Sequence, residues 1–512
     1  MKNYKLFIRN GLILTLSALF LRTVSVIFNV YITSAAGAEG TGLFQLVMSL
    51  YSPALTLASA GVSLASSRLI AEELSKSRGG RWHPVLVRCI ICAVTFSLPV
   101  TAALYLLAPY VSAHWLGTSL CSPLLRMLSL GMPFISLSSC ISGFFIALRH
   151  AEKNAFLQVS EQIFKMSLTY LLICNGGGNG VKTLLYVVFG NVISDIFAFC
   201  LSMLLYTREK KRLKIHRSAE KDSITPRILS ITLPVSISSF LRSALVAFEH
   251  ILIPKGLKKS GLPYTAAMAS YGTLTGMAMP IIFFPASFLY SFSSLTVPEM
   301  AEAKEKGDYR EIEVQIQQIL LAFLTFAIGA SAIIFSYSYE LGDAIYKSAE
   351  ASIYLTYLAP LIPFMYLDTA VDSMLKGLGE QIFTMKVNVI DALCSVISVY
   401  FLVPKLGIMG YIAVILISEL INFSFSVYRL KKVTKVKLGL MKRVPTLLVF
   451  IFSSIGITRL FILRTSSSLL RACIGIPVSI LLYCLFLAAQ SQKRDKVIKT
   501  NKEPYNLAKK GA

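Results

Sequence analysis

The chain has 512 residues, of which 55% are hydrophobic and only 15% charged, more apolar side chain than one soluble core can enclose. Its formal net charge of +24 would point to nucleic acid in a soluble protein, but the basic residues gather on alternate sides of long apolar runs. That asymmetry argues against a nucleic-acid partner and places the basic loops on the inner face of a membrane, so the sequence predicts an all-α integral membrane protein of about fourteen spans with cytoplasmic N- and C-termini.

Lys2, Lys5 and Arg9 precede the first span, near residues 11–33, which is too long for a cleaved secretory signal and contains Arg22 and Asn29. The second, near 43–65, contains Pro53 and enters the cytoplasm at Arg68, a gate candidate, beside Glu72 and Glu73. Spans near 87–108, 124–148 and 156–174 follow; the last carries Glu161 and Lys165 one turn apart. The sixth, near 183–206, carries Asp195 and leads into a basic linker, 208–227. The seventh, near 228–253, holds Arg242, Glu249 and His250, and the eighth, near 266–292, holds Pro280 and Pro285 and ends at a second gate candidate, Glu299. After a ninth near 314–336, the tenth, near 351–375, aligns Asp368, Asp372 and Lys376 at four-residue spacing, where the charges neutralise one another along one helix face. The eleventh and twelfth lie near 383–403 and 408–428, with Glu419 in the latter. Two more, near 444–463 and 470–490, precede a basic cytoplasmic tail, 491–512.

An internal repeat orders these spans. Phe20-Leu21-Arg22 with Phe28 matches Phe240-Leu241-Arg242 with Phe248, Pro133-Phe134 matches Pro363-Phe364, and Ile193-Ser194-Asp195 matches Ile417-Ser418-Glu419. The expected organisation is an N-terminal lobe over 1–207 and a parallel C-terminal lobe over 228–430, with an appended helix pair in 431–490. Such halves commonly enclose a midplane cavity and alternate its access by rocking.

Enzyme signatures are missing: there is no phosphate loop, no HExxH and no nucleophile elbow, and the five histidines fall in five different segments without metal-ligand spacing. Neither a catalytic centre, a metal site nor a cofactor is therefore expected. An ionised side chain at the centre of a span costs roughly 2.5–3.5 kcal/mol and so faces protein or water. Arg22 and Arg242 occupy matching places in the repeat, and their planar forks suit phosphate oxygens, which makes them candidates to hold a diphosphate. Asn29 follows Arg22 by seven residues and Glu249 follows Arg242 by seven, so each pair shares a helix face. Glu249 and His250 are therefore cavity candidates, where the carboxylate either carries a coupling proton or sodium ion or neutralises an arginine. Asp195 and Glu419 read equally as structural anchors or as ion sites, and Asp368 and Asp372 belong to the same set of cavity and coupling candidates.

Gly37-Ala-Glu-Gly40-Thr-Gly42-Leu-Phe44, Phe248-Glu249, Tyr271-Gly272-Thr-Leu-Thr-Gly276-Met-Ala278-Met279, Val297-Pro298-Glu299 and Leu406-Gly407-Ile-Met-Gly410 together resemble the stage V sporulation protein B-like branch of the polysaccharide exporters. Within the MOP superfamily these are relatives of the MurJ-type lipid II flippases and, more distantly, of multidrug and toxin extruders. The resemblance implies a two-lobed helical flippase in the bacterial cytoplasmic membrane, with the forespore membrane as the location this branch suggests. It would move an undecaprenyl-diphosphate-linked saccharide, a peptidoglycan precursor, outward, driven by sodium, protons or membrane potential and serving cell-wall synthase partners. Arg22 matches a family arginine, whereas Asn29 stands where relatives carry another. A cation-coupled multidrug exporter would instead show twelve spans and a cavity of carboxylates and aromatics. A membrane-embedded glycosyltransferase or polymerase would gather carboxylates or histidines at one membrane face.

Overall fold

The structure is a computed structural model and describes residues 2–59, 61–75, 82–177, 180–211, 224–305, 309–436, 439–462 and 467–510. Hydrocarbon offers no partner to backbone N–H and C=O groups, so the apolar runs satisfy them internally as helices, and no strand occurs among the described residues. Ten of the described helical stretches are long and apolar enough to cross a membrane.

Each expected span lies in helix. α1 (Lys2–Ser59) carries the first span and most of the second, which α2 (Val62–Ser75) completes; α3 (Trp82–Val111), α4 (Cys121–Ala147), α5 (Ala151–Gly176), α6 (Val181–Lys210) and α7 (Ile224–Lys259) carry the next five. The eighth is built from α8 (Tyr264–Gly272), a π-helical turn at Thr273–Ala278 and α9 (Met279–Glu305). α10 (Tyr309–Ser336) is the ninth, and the tenth is split by a 3₁₀ turn into α12 (Ala349–Leu358) and α13 (Ile362–Gly377). α14 (Gln381–Thr434) contains the eleventh and twelfth, followed by α15 (Val444–Ile462) and α16 (Ser468–Lys510).

Two connections differ from the loops the sequence suggested. Between the first two spans the chain turns at Gly37 (φ 76°, ψ 174°), and between the eleventh and twelfth at Gly407 (φ 62°, ψ −144°). A single residue makes each turn because glycine carries no Cβ to clash there. A short helix, α11 (Ser338–Tyr346), precedes the tenth span, and helix continues from the last span into the basic tail as far as Lys510. The middle of the 208–227 linker lies outside the described residues.

The chain forms two compact units, residues 1–287 with 388–415, and residues 288–387 with 416–512. In the first, Trp82, Leu86, Phe144 and Phe145 are fully buried where α2, α3 and α4 meet, together with Tyr206 of α6 and Ile228 of α7. In the second, tyrosines tie α16 to its neighbours: Tyr337 Oη lies 3.1 Å from Ser479 Oγ, and Tyr483 Oη donates to the Thr325 carbonyl at 3.1 Å.

Candidate functional site

A cavity of about 610 Å³ opens between the second half of α1 and the middle of α7 in the first unit. One wall is Gln45, Ser49, Ser52 and Thr56, at spacings that place all four on one face of α1. The other is Ser239, Arg242, Ser243, Val246 and His250 of α7. Thr56 and Ser243 hydroxyls lie 3.3 Å apart across it. Arg242 is exposed and is the one lining residue with a fixed positive charge, so the space combines hydroxyl and amide groups with one guanidinium fork. Arg22 is also exposed but is not among the lining residues. The hydroxyl strips were missed in the sequence, although the repeated four- and three-residue spacing of Gln45, Ser49, Ser52 and Thr56 was a readable signal.

His250 joins this cavity to a second polar network. Its Nδ1 is hydrogen bonded to Tyr271 Oη at 2.8 Å, and Tyr271 is fully buried. The neighbouring Glu249 carboxylate accepts hydrogen bonds from Ser395 and Tyr411 of α14 and lies within charge range of Asp391. Glu249 and His250 are thus brought together with a second carboxylate that sequence reasoning did not single out.

Asn29 has a different place. Its Nδ2 donates to the Gly276 carbonyl at 2.8 Å. Pro280, four residues after Gly276, has no N–H to supply the usual helical bond, and the π-helical turn sits at this point. The Asn29 amide supplies the missing donor.

The remaining candidates fall into three groups. Asp195 and Glu161 line a separate polar cavity of about 200 Å³ within the first unit. In the second unit, Asp368 accepts from Asn422 at 3.3 Å, Lys376 pairs with Asp372 along α13 at 3.8 Å, and Glu419 is half-buried on α14. Arg429 donates twice to Glu380 there, from Nε at 3.1 Å and from Nη2 at 2.7 Å. At the cytoplasmic ends, Arg68 pairs with Glu72 at 3.2 Å, and Glu72 also accepts from Arg227 of α7 at 2.6 Å. Glu299 is exposed on α9.

Packed apolar helices, ten of them long enough to cross a membrane, around a cavity that holds a charged side chain define a multispan membrane protein. The chain matches the polysaccharide biosynthesis protein family over residues 7–302 and therefore belongs to it; the MatE family matches residues 260–401. It is 27% identical over 416 residues to stage V sporulation protein B of Bacillus subtilis (strain 168), covering 79% of each chain. It is 24% identical over 430 residues to the lipid II flippase MurJ of the same organism, covering 78% of each. Among solved structures, lipid II flippase MurJ in its inward closed conformation superposes with a TM-score of 0.71 at 14% identity, over 95% of this chain and 100% of that one, a likeness of fold. One of these relatives is named as a flippase, and the fold is shared with the solved lipid II flippase MurJ.

Proposed function

We propose that the protein is a flippase that moves an isoprenoid-diphosphate-linked saccharide, a lipid II-like peptidoglycan precursor, from the inner to the outer leaflet. The observation that carries this reading is Arg242, the one fixed positive charge in a cavity whose walls also hold five hydroxyls, an amide and an imidazole beside Met48 and Val246. A guanidinium recognises a diphosphate through paired charge-assisted bonds, and hydroxyls suit sugar, whereas a cationic drug would meet like charge. Arg22, the repeat partner of Arg242, is assigned as a second diphosphate contact on approach from the membrane. With no phosphate loop in the sequence, coupling falls to an ion gradient or membrane potential, and the Glu249–Asp391 pair is the assigned coupling site. The halves 1–207 and 228–430 are the bodies proposed to rock.

The test is binding of the purified protein to lipid II, with undecaprenyl monophosphate as control, followed by flipping in proteoliposomes. A hydrogen bond to a charged group contributes about 1.5–3 kcal/mol, so Arg242→Ala should weaken lipid II binding by roughly 10- to 100-fold. Arg242→Lys should recover only part of the loss, because it keeps the charge but not the fork. Wild-type protein that ignores both lipids but binds a cationic drug in competition with sodium or protons would replace this reading with the multidrug exporter. Release of a transferred sugar by purified protein would replace it with the glycosyltransferase.

A further inference from the structure

His250 is the outermost α7 residue on the wall of the Arg242 cavity, eight residues beyond the arginine. At the rise of an α-helix the two lie about 12 Å apart along α7. The histidine ring is fixed from behind: Nδ1 is hydrogen bonded to Tyr271 Oη at 2.8 Å, and the two rings meet near edge-on, with planes 70° apart and centroids 5.9 Å apart. Tyr271 is fully buried, and Gly272 beside it packs directly on the backbone of Gly42, so the anchor sits on a tight seam between α8 and α1. With Nδ1 taken, one tautomer is selected and Nε2 is the ring's remaining polar atom. The neighbouring Glu249 turns to α14 instead, where Ser395 and Tyr411 hold its carboxylate.

The facing wall is set up to accept. Ser49 Oγ donates to the Leu46 carbonyl at 2.8 Å and Thr56 Oγ1 to the Ser52 carbonyl at 2.8 Å, so both hydroxyl protons are used within α1 and lone pairs are what these groups offer the cavity. The 3.3 Å contact of Thr56 with Ser243 sets the register of the two antiparallel stretches. Ser49 and His250 each stand seven residues outward from that contact and so share a level, whereas Arg242 lies beside the contact itself. A ligand spanning both levels meets a guanidinium at one and, about two turns outward, a hydroxyl acceptor facing a single imidazole nitrogen. Sugar hydroxyls match the outer level, since a hydroxyl can donate to Ser49 and can either donate to or accept from Nε2, whichever tautomer Tyr271 selects. A diphosphate followed by one pyranose ring covers such a span. We propose that His250 is a specificity-determining residue whose Nε2 bonds a ring hydroxyl of the sugar nearest the diphosphate, with Ser49 across from it and Tyr271 as the positioning residue that aims it. This rests on the diphosphate reading of Arg242 and adds to it the level of the cavity that the saccharide occupies.

The test compares binding of lipid II and of undecaprenyl diphosphate, which lacks the sugar, to the purified full-length protein, with thermal unfolding of each variant as the check on folding. Wild type should prefer lipid II. Loss of one hydrogen bond should cut that preference by roughly 2- to 10-fold in His250→Ala and His250→Phe. His250→Gln, which keeps a hydrogen-bonding terminus, should regain part of it, and Tyr271→Phe, which releases Nδ1, should lose part of it. Ser49→Ala leaves the His250–Tyr271 pair intact, should lower the preference as well, and serves if the histidine variants do not fold. A preference for lipid II that survives in the His250 and Ser49 variants overturns the proposal, as does an equal loss for the two lipids, which would make His250 a packing residue. Wild type that binds the two lipids equally overturns it while leaving Arg242 with the diphosphate, whereas wild type that binds neither overturns the diphosphate reading itself.

Discussion

Replacing Asn29 with leucine separates a structural role from a functional one. The Asn29 amide donates at 2.8 Å to the Gly276 carbonyl, whose helical donor position is occupied by Pro280. Removing it strands a carbonyl at membrane depth, for which the desolvation penalty is ~1–3 kcal/mol. Hydrogen bonds between helices in bilayers average nearer 0.6 kcal/mol, with a maximum near 1.7, so the expected loss is about 1 kcal/mol. That corresponds to roughly a five-fold shift in the folded-to-unfolded ratio. Unfolding in mixed micelles by titration with sodium dodecyl sulfate should report it as an earlier midpoint. Pro280→Ala restores an N–H in the helix, so in that background Asn29→Leu should cost measurably less, and the double-mutant cycle should show coupling of ~0.5 kcal/mol or more. Equal costs in both backgrounds would refute the donor-replacement argument. An unchanged unfolding midpoint with lost flipping would return Asn29 to the substrate or coupling residues.

Two further outcomes follow from the ends of the cavity helix. Glu72 and Arg227 form a 2.6 Å pair but are 40% and 49% exposed at their side chains, so Glu72→Gln should change stability by less than ~1 kcal/mol. It should nevertheless raise the rate at which a cysteine placed at Thr56 reacts with a membrane-impermeant thiol reagent added to the cytoplasmic side; an unchanged rate would show that the pair does not gate the cavity. Gly272→Val puts side-chain carbon where a Cβ would already lie 2.5 Å from Gly42 N and 2.9 Å from Gly42 Cα. Two backbones cannot yield as a flexible side chain can, so folded, monodisperse protein should be largely lost, and recovery of stable protein at wild-type yield would disprove the close approach.

Much of the fold was legible because hydrophobic length is a strong local signal: in lipid, a run of about 20 apolar residues has few alternatives to helix. The connections were less legible. Gly37 and Gly407 each make a complete turn, and a glycine in a sequence does not announce its φ. Among the site residues, Arg242 could be read because a charge in a span demands a reason, and the cavity supplies one. Ser49, Ser52, Ser239 and Ser243 could not, since serine is tolerated in any transmembrane helix and only the pairing of α1 with α7 makes their faces converge. Asn29 looked like a cavity residue from its spacing to Arg22, yet its partner lies 247 residues away and is a carbonyl, which no side-chain pattern records. Asp391 was passed over for the same reason: its significance comes from Glu249 on another helix.

The second half of α1 is held at both ends of the cavity, and the two ends are held differently. At the outer end, Gly42 and Gly272 bring backbones of α1 and α8 into direct contact, so that no side chain lies between them. At the inner end, Gly61 (φ 78°) rests on Thr232, where a Cβ would lie 2.8 Å from its Cα, and the exposed Glu72–Arg227 pair closes the contact beyond it. Close backbone packing in a bilayer is lost whole when helices part, because dispersion falls steeply with separation. An exposed ion pair instead exchanges its partner for water at little cost. Opening toward the cytoplasm therefore meets the smaller barrier from this arrangement. A cavity that opens first to the cytoplasm is what the proposed outward transport requires, and the proposed diphosphate ligand can supply the difference in binding energy between states if Arg242 reaches it in one of them more fully than in the other.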